Sequence, residues 1–387
     1  MGDAALAAVT SKLTAWAIDD ALPLWATAGF DAESGRFLEA LTLDGKPVST
    51  MPTRLIVQAR QVFSYAVAAK RKRHEGAVEI VERGYRAMVR DYHSPDGKPG
   101  WVYSVSRDGA VAEAKRDLYS HAFALLAIGA YVDVTGRRDA LGLVEETLAF
   151  IDRDLHAPLS GGYLEALPGT TDVRRQNPHM HLFEAMLSLW EVTGEGRYLA
   201  RAGEMYGLFS TRFFRPVPGV LGEYFDAALA PAAGTAGDIV EPGHHSEWIW
   251  LLRRFEHATD RKVQPYVDAL YDHAAHHGYD PSGLMVDEVL ADGTHRLPSH
   301  RTWPMTEAIK ANIVEAASGR TGASTKAAVL ANLLFDRFLQ PAPRGGWMDR
   351  LDANGRPAAD TMPASTLYHV LGAIEVMVDF VAASHGR

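Results

Sequence analysis

Six places in this 387-residue chain gather imidazole, carboxylate, guanidinium or aromatic groups within about one helical turn. They are Arg54 with Gln58, Asp117 with Tyr119 and His121, Asn177 with His179 and His181, His244 with His245 and Glu247, Trp303 with Glu307, and Tyr368 with His369. Histidine is the side chain best matched to moving protons near neutral pH. One on each side of a pocket suits proton abstraction beside a carbonyl. A metal centre is the first alternative, because helical ligands usually stand at i, i+3 or i, i+4, as in HExxH. His244 and Glu247 have such a spacing, but no HExxH occurs, and no metal or other cofactor is expected. Glu247 and Glu307 could instead be the acid and base of an inverting glycosidase. Each, however, has histidine or tryptophan as a close sequence neighbour, which fits imidazole proton transfer better. His179 and His245 adjoin chosen residues, and helix neighbours point about 100° apart. One of each pair should therefore face the pocket while the other packs. His273, His276 and His277 fall at the C-terminal end of an outer helix, where imidazolium favours the dipole.

The elements that would position these groups recur. A glycine followed by a short aromatic and apolar run, with an acid near its middle in most copies, occurs at Gly35, Gly100, Gly161, Gly222, Gly283 and Gly345, at steps of 61 to 65 residues. Four copies carry a tight-turn pair at hairpin distance: Asp44-Gly45, Asp108-Gly109, Asp292-Gly293 and Asn354-Gly355. After each hairpin comes a stretch of helical period, starting near Arg54, Asp117, His179, His244, Trp303 and Thr366, and five of the six have proline beside the start. A second helix fits before each next glycine, and Ala4 to Trp25 leads the series, which makes twelve. Six repeats without polar capping units favour a closed ring over an open solenoid. The expected fold is all-α: an (α/α)6 barrel of six helical hairpins, residues 1–387 as one domain, with short β-hairpins at the active-site mouth. The first helix of each pair, such as Asp117 to Val134, is apolar on most faces and belongs inside; the others carry charged faces and belong outside.

Composition narrows the partners. The formal charge is −9 and the basic residues are scattered, so no positive face for nucleic acid or an anionic membrane is expected. The absence of cysteine excludes disulfides, thiolate zinc sites and cysteine nucleophiles. The longest apolar run, Ala122 to Val132, is about 11 residues against the ~20 needed to cross a bilayer. Neither a secretory signal nor a myristoylation motif is evident at the N-terminus. A cytoplasmic protein acting on a neutral small molecule is the expectation, with the oligomeric state open.

The strings TRLIVQARQVFSYA from Thr53, DLYSHAFALLA from Asp117, NPHMHLFEA from Asn177, EPGHHSEWIWLL from Glu241, RTWPMTEA from Arg301 and STLYHVLGA from Ser365 cover all six inner helices in order. In them the chain resembles the N-acylglucosamine 2-epimerase superfamily, which also holds cellobiose 2-epimerases, mannose isomerases and sulfoquinovose isomerases. The resemblance implies an (α/α)6 barrel in which two histidines exchange protons with a sugar through an enediol or enediolate. Carried onto matching positions, the catalytic pair is His244 and His369, with Arg54, Tyr119, Asn177, His181, Glu247, Trp303 and Glu307 lining the sugar site.

Departures from the family pattern narrow the substrate. Cellobiose epimerases resemble one another in a tryptophan pair at the fifth motif, which here is Thr302-Trp303, and in a tryptophan two residues before the last histidine, which here is Leu367. Fewer aromatic faces favour one sugar ring over two. No GxxxxGK[ST] phosphate loop occurs, and Met305 replaces a common glutamine without evident meaning. The expected activity is aldose–ketose isomerisation of a monosaccharide, D-mannose to D-fructose or D-lyxose to D-xylulose, with His369 as base and His244 as partner acid or the two roles exchanged, Glu247 orienting His244 or raising its basicity, and Arg54 holding the enediolate. A 2-epimerase shares the same two histidines and is the alternative; a glycosidase and a non-catalytic sugar sensor are more distant ones.

Overall fold

The computed structural model describes residues 2–169 and 173–385. Among them are six helical pairs, taken in chain order as α1 (Gly2–Trp16) with α2 (Leu55–Lys70), α3 (Ala77–Tyr92) with α4 (Leu118–Thr135), α5 (Leu141–Phe150) with α6 (Gln176–Thr193), α7 (Gly196–Leu208) with α8 (Pro242–Thr259), α9 (Gln264–His277) with α10 (Thr302–Ala317), and α11 (Ala323–Leu334) with α12 (Thr366–His385). Even-numbered helices form the inner wall and odd-numbered ones the outer. Each inner helix packs on the next, and α12 returns to touch α2, so the ring closes. The expected (α/α)6 barrel is the fold.

Burial follows the patterning. On α3, Val81, Gly84, Tyr85 and Met88 recur at helical spacing and are buried, while Glu79, Arg86 and Arg90 face solvent. On α4, thirteen of eighteen residues are buried, because both faces of an inner helix meet other helices. Helices Leu118–Thr135 and Thr366–Ser384 are long and apolar enough to cross a membrane by composition. Both are inner-wall helices, and the barrel uses most of their apolar surface.

Ring closure is repeated in the short strands. The strand entering each inner helix pairs antiparallel with the hairpin of the following repeat: Thr53–Arg54 with Ser104–Val105, Arg116–Asp117 with Ala166–Leu167, Arg174–Arg175 with Tyr224–Phe225, Ile239–Val240 with Val289–Leu290, and His300–Arg301 with Arg350–Leu351. The last, Thr361–Pro363, pairs with Ala40–Thr42 of the first repeat. All six N-terminal ends therefore open at one mouth.

A second contact locks hairpin to helix. Counting from Arg54, Asp117, Arg175, Glu241 and Arg301, which precede the first five inner helices, and from Pro363 in the sixth repeat, the side chain four residues on accepts the backbone N–H of a hairpin residue in five of the six: Gln58 Oε1 from Phe37 (2.9 Å), His121 Nε2 from Trp101 (3.1 Å), His179 Nε2 from Tyr163 (3.0 Å), His245 Nε2 from Leu221 (3.0 Å) and Met305 Sδ from Met285 (3.3 Å). His179 and His245 are thus the packing members of their pairs, and Met305 gains a meaning. Leu367 fills the sixth such position without an acceptor and is fully buried. In the same register the fourth turning glycine is Gly219 (φ 93°), two residues before Leu221 as Gly283 is before Met285, and not Gly222.

Candidate active site

Positions two and six residues into each repeat of this register are four apart, hence on one helix face. The sixth positions are Arg60, Phe123, His181, Glu247, Glu307 and His369, all buried. The second positions include Tyr119, Asn177, Gly243 and Trp303. Trp303 ties two predicted residues together: its ring centroid is 5.0 Å from that of His244 and 5.8 Å from that of His369. A Cβ on Gly243 would meet the Trp303 ring at 2.7 Å, so this position needs glycine for the indole to lie there.

His244 is held at Nδ1 by Glu223 Oε2, 3.0 Å away, with Glu241 Oε2 at 4.0 Å. Burial alone would push the imidazole toward neutrality, but Glu223 and Glu241 more than offset it and raise its pKa to about 9. Glu223 is kept in place by Gln176, whose Nε2 donates to it at 2.9 Å. Glu241 in turn accepts from Arg301 at 3.0 Å, and Arg301 is held by Asp287 at 2.7 Å. The partner of His244 is therefore Glu223 and not Glu247, because the Nδ1 edge faces the hairpin instead of the next turn of its own helix.

His369 has its Nδ1 2.8 Å from Glu307 Oε1, while Glu307 Oε2 is 2.5 Å from Lys310 Nζ. Burial, with Arg60 and Lys310 adding positive charge nearby, drives this imidazole well below its ordinary range. A carboxylate partner fixes the proton on Nδ1 and leaves Nε2 with a lone pair. At neutral pH the two rings therefore differ: His244 is charged and His369 is neutral. Glu307, expected to line the sugar site, spends both oxygens on His369 and Lys310.

The remaining expected residues sit around this pair. His181 Nδ1 is 3.0 Å from Glu184 Oε2, and Tyr368 donates to Glu184 Oε1. Burial lowers His181 to about 4, and Glu184, despite burial, falls to about 2 through His181 and its other partners. The Tyr119 ring lies 5.1 Å from His181, and its hydroxyl accepts from Arg60 at 2.7 Å. Asn177 is half-buried, and its Oδ1 has no partner among the described residues. Arg54 lies at the rim, clasped by Glu39 through Nε (2.6 Å) and the backbone N–H (3.0 Å). Arg175 is clasped in the same way by Glu165. Thr302 and Leu367 are wholly buried, and Thr302 donates to Met348 O at 3.0 Å.

Glu223, Glu184, Lys310 and Arg60 were not among the expected residues. Glu223 is the repeat's hairpin acid, equivalent to Glu39, Glu165 and Asp287, which grip arginines at helix starts. The fourth helix start is Glu241 instead, which frees its hairpin acid for His244. Among the described residues three groups could hold a cation by distance: His181, Glu184 and Glu247; Glu223, Glu241 and His244; and Glu247, Glu307 and His369. In each the histidine Nδ1 is bonded to a carboxylate, and Lys310 supplies a positive charge to the third, so the donor sets fit acid–base chemistry.

A sequence profile of the N-acylglucosamine 2-epimerase (GlcNAc 2-epimerase) family matches residues 35–373. The chain is 36% identical over 380 residues to a mannose-6-phosphate isomerase of Rhizobium meliloti, covering 95% of this chain and 96% of that protein. It is 28% identical over 257 residues to a D-mannose isomerase of Thermobifida fusca, covering 62% of this chain and 63% of that one. Cellobiose 2-epimerase from Spirochaeta thermophila superposes with a TM-score of 0.85 at 24% identity, over 98% of both chains.

Proposed function

Because this chain belongs to the N-acylglucosamine 2-epimerase family and is an enzyme of the isomerase class, we propose that it interconverts a free aldose and its ketose, D-mannose to D-fructose, with D-lyxose to D-xylulose as the pentose counterpart. The observation that carries this reading is the pair of imidazoles beside Trp303, each tethered at Nδ1 by a carboxylate, one held charged and the other neutral. His244, protonated, assists opening of the pyranose. His369 Nε2 then takes the proton from carbon 2 while His244 gives one to the carbonyl oxygen on carbon 1, which forms the enediol. His369 returns its proton to carbon 1, and His244 recovers one from the oxygen on carbon 2. The sugar gains and loses two protons, and no external acid, base or oxidant is needed. Asn177, Tyr119, His181 and Trp303 hold the chain, and Arg54 stands at the rim. Return of a proton to the opposite face of carbon 2 by His244 would make the same site a 2-epimerase.

A phosphorylated aldose is the second reading, favoured by the Rhizobium meliloti relative's name and by Arg54 and Arg175 at the mouth. Both guanidinium groups are already matched by carboxylates, which supports the uncharged sugar. Initial rates on D-mannose and D-mannose 6-phosphate decide between them. Faster turnover of the free sugar is expected, and exclusive turnover of the phosphate ester would reverse the choice. Loss of about 10² or more in turnover is expected in both H244A and H369A, as positioned acids and bases contribute 10²–10⁴.

A further inference from the structure

Three carboxyl groups lie in a buried row beneath the imidazoles: Glu184 on α6, Glu247 on α8 and Glu307 on α10, each 1% exposed or less. The outer two are compensated. Glu184 holds His181 and the Tyr368 hydroxyl, and Glu307 holds Lys310 and His369. The middle one is not. Glu247 Oε1 is sealed from solvent and has no hydrogen-bond partner among the described residues; His181 Nδ1 is 4.0 Å away and already bound to Glu184. Ligating atoms of Glu247 fall within 4.8 Å of those of Glu184 on one side and of Glu307 on the other. The groups facing this row from every inner helix are Arg60, Tyr119, His181, Glu184, His244, Glu307, Lys310, Tyr368 and His369. Glu184 and Glu307 balance Lys310 and Arg60, and His244 is balanced by Glu223. A third carboxylate would stand buried and unpaired between two others, which is costly.

We propose that Glu247 rests as an uncharged carboxylic acid whose O–H donates a hydrogen bond to an oxygen of the sugar. The role in sugar binding rests on the isomerase reading; the protonation state does not. Desolvation and the neighbouring Glu307 push its pKa well above the ordinary carboxyl range, in the same direction. A neutral acid donor helps an enediolate because it stabilises developing negative charge without forming an ion pair in the ground state. No proton need leave Glu247 during the reaction.

Infrared spectroscopy of the sugar-free protein at neutral pH tests the protonation state directly. A protonated-carboxyl C=O band present in wild type and absent from E247Q is expected, and a band of equal intensity in E247Q would assign it to another buried carboxyl and overturn the proposal. Absence of the band at neutral pH overturns the proposal, whether or not the protein turns over mannose. Kinetics test the donor role. E247Q keeps a neutral donor and should retain kcat/KM within about tenfold, whereas E247A should lose 10²–10³, the scale of one oxyanion donor. Equal losses in E247Q and E247A would mean that an ionised carboxylate is required. No turnover by wild type would fault the isomerase reading and leave the infrared result standing.

Discussion

Glu223 Oε2 lies 3.0 Å from His244 Nδ1, on a hairpin whose counterparts elsewhere in the barrel grip arginine. One residue exchange at a helix start, Glu241 in place of Arg54, Arg175 or Arg301, turns a repeated structural clasp into a device that keeps an imidazole charged.

The rate should accordingly be bell-shaped in pH. Activity needs His244 protonated and His369 neutral, so the alkaline limb should fall near pH 9 and the acid limb below the ordinary imidazole range. In E223Q the alkaline limb should move down by at least a pH unit. An unmoved limb would show that Glu223 does not control the acid.

The same pairing links to stability. The folded-state pKa of His244 is raised, so its contribution is fully present below the unfolded value of about 6.5 and is lost as pH rises through about 9. The Tm difference between wild type and E223Q should be large at pH 6 and shrink by pH 10.

The packing histidines should behave differently from the catalytic pair. H179A and H245A each orphan a buried backbone N–H and should cost about 1–3 kcal/mol in unfolding free energy. Turnover per folded molecule should fall far less than in H244A. M305Q offers an amide oxygen to the same N–H that a thioether now meets, as Gln58 does in the first repeat, and should raise Tm slightly.

Gly243 sets the position of Trp303. In G243A the new Cβ would meet the indole at 2.7 Å and Pro304 at 2.9 Å, so the ring must shift from between the imidazoles. A loss of about tenfold or more in kcat/KM is expected, with tryptophan fluorescence reporting the displacement.

The barrel was legible because it repeats: glycine, turn pair, proline and apolar helix recur at nearly constant spacing, and six weak signals in step are stronger than one. Positions on the inner helices were legible through their residue types, and the structure brings the Trp303 ring beside those of His244 and His369. The partners were harder to see. Glu223 stands 21 residues from His244 and lies on a hairpin, so only the equivalence of hairpin acids could have pointed to it. Glu184 and Lys310 each follow a chosen residue by three, one helical turn, and were within reach of that spacing. Arg60 is six residues beyond Arg54, in register with His181, Glu247, Glu307 and His369, a relation visible only once the helix starts are aligned. Thr302 and Leu367 stand where the family pattern has tryptophan, and only the packing shows that both are fully buried here.

Metal removal provides a further check on the site. Turnover should survive exhaustive treatment with EDTA, since the acid and base roles proposed for His244 and His369 are met by side chains. Loss of activity restored by one divalent ion would move Glu247, Glu307 and His369 from proton chemistry to coordination.

Product analysis by NMR of D-mannose incubated with the enzyme in deuterated water tests the central claim most directly. One base, His369, serving carbons 1 and 2 on the same face predicts D-fructose as the first product, with deuterium at carbon 1 incomplete because part of the original hydrogen is carried across. D-Glucose appearing first, with carbon 2 almost fully deuterated, would contradict isomerisation and assign the two imidazoles to opposite faces of a 2-epimerase.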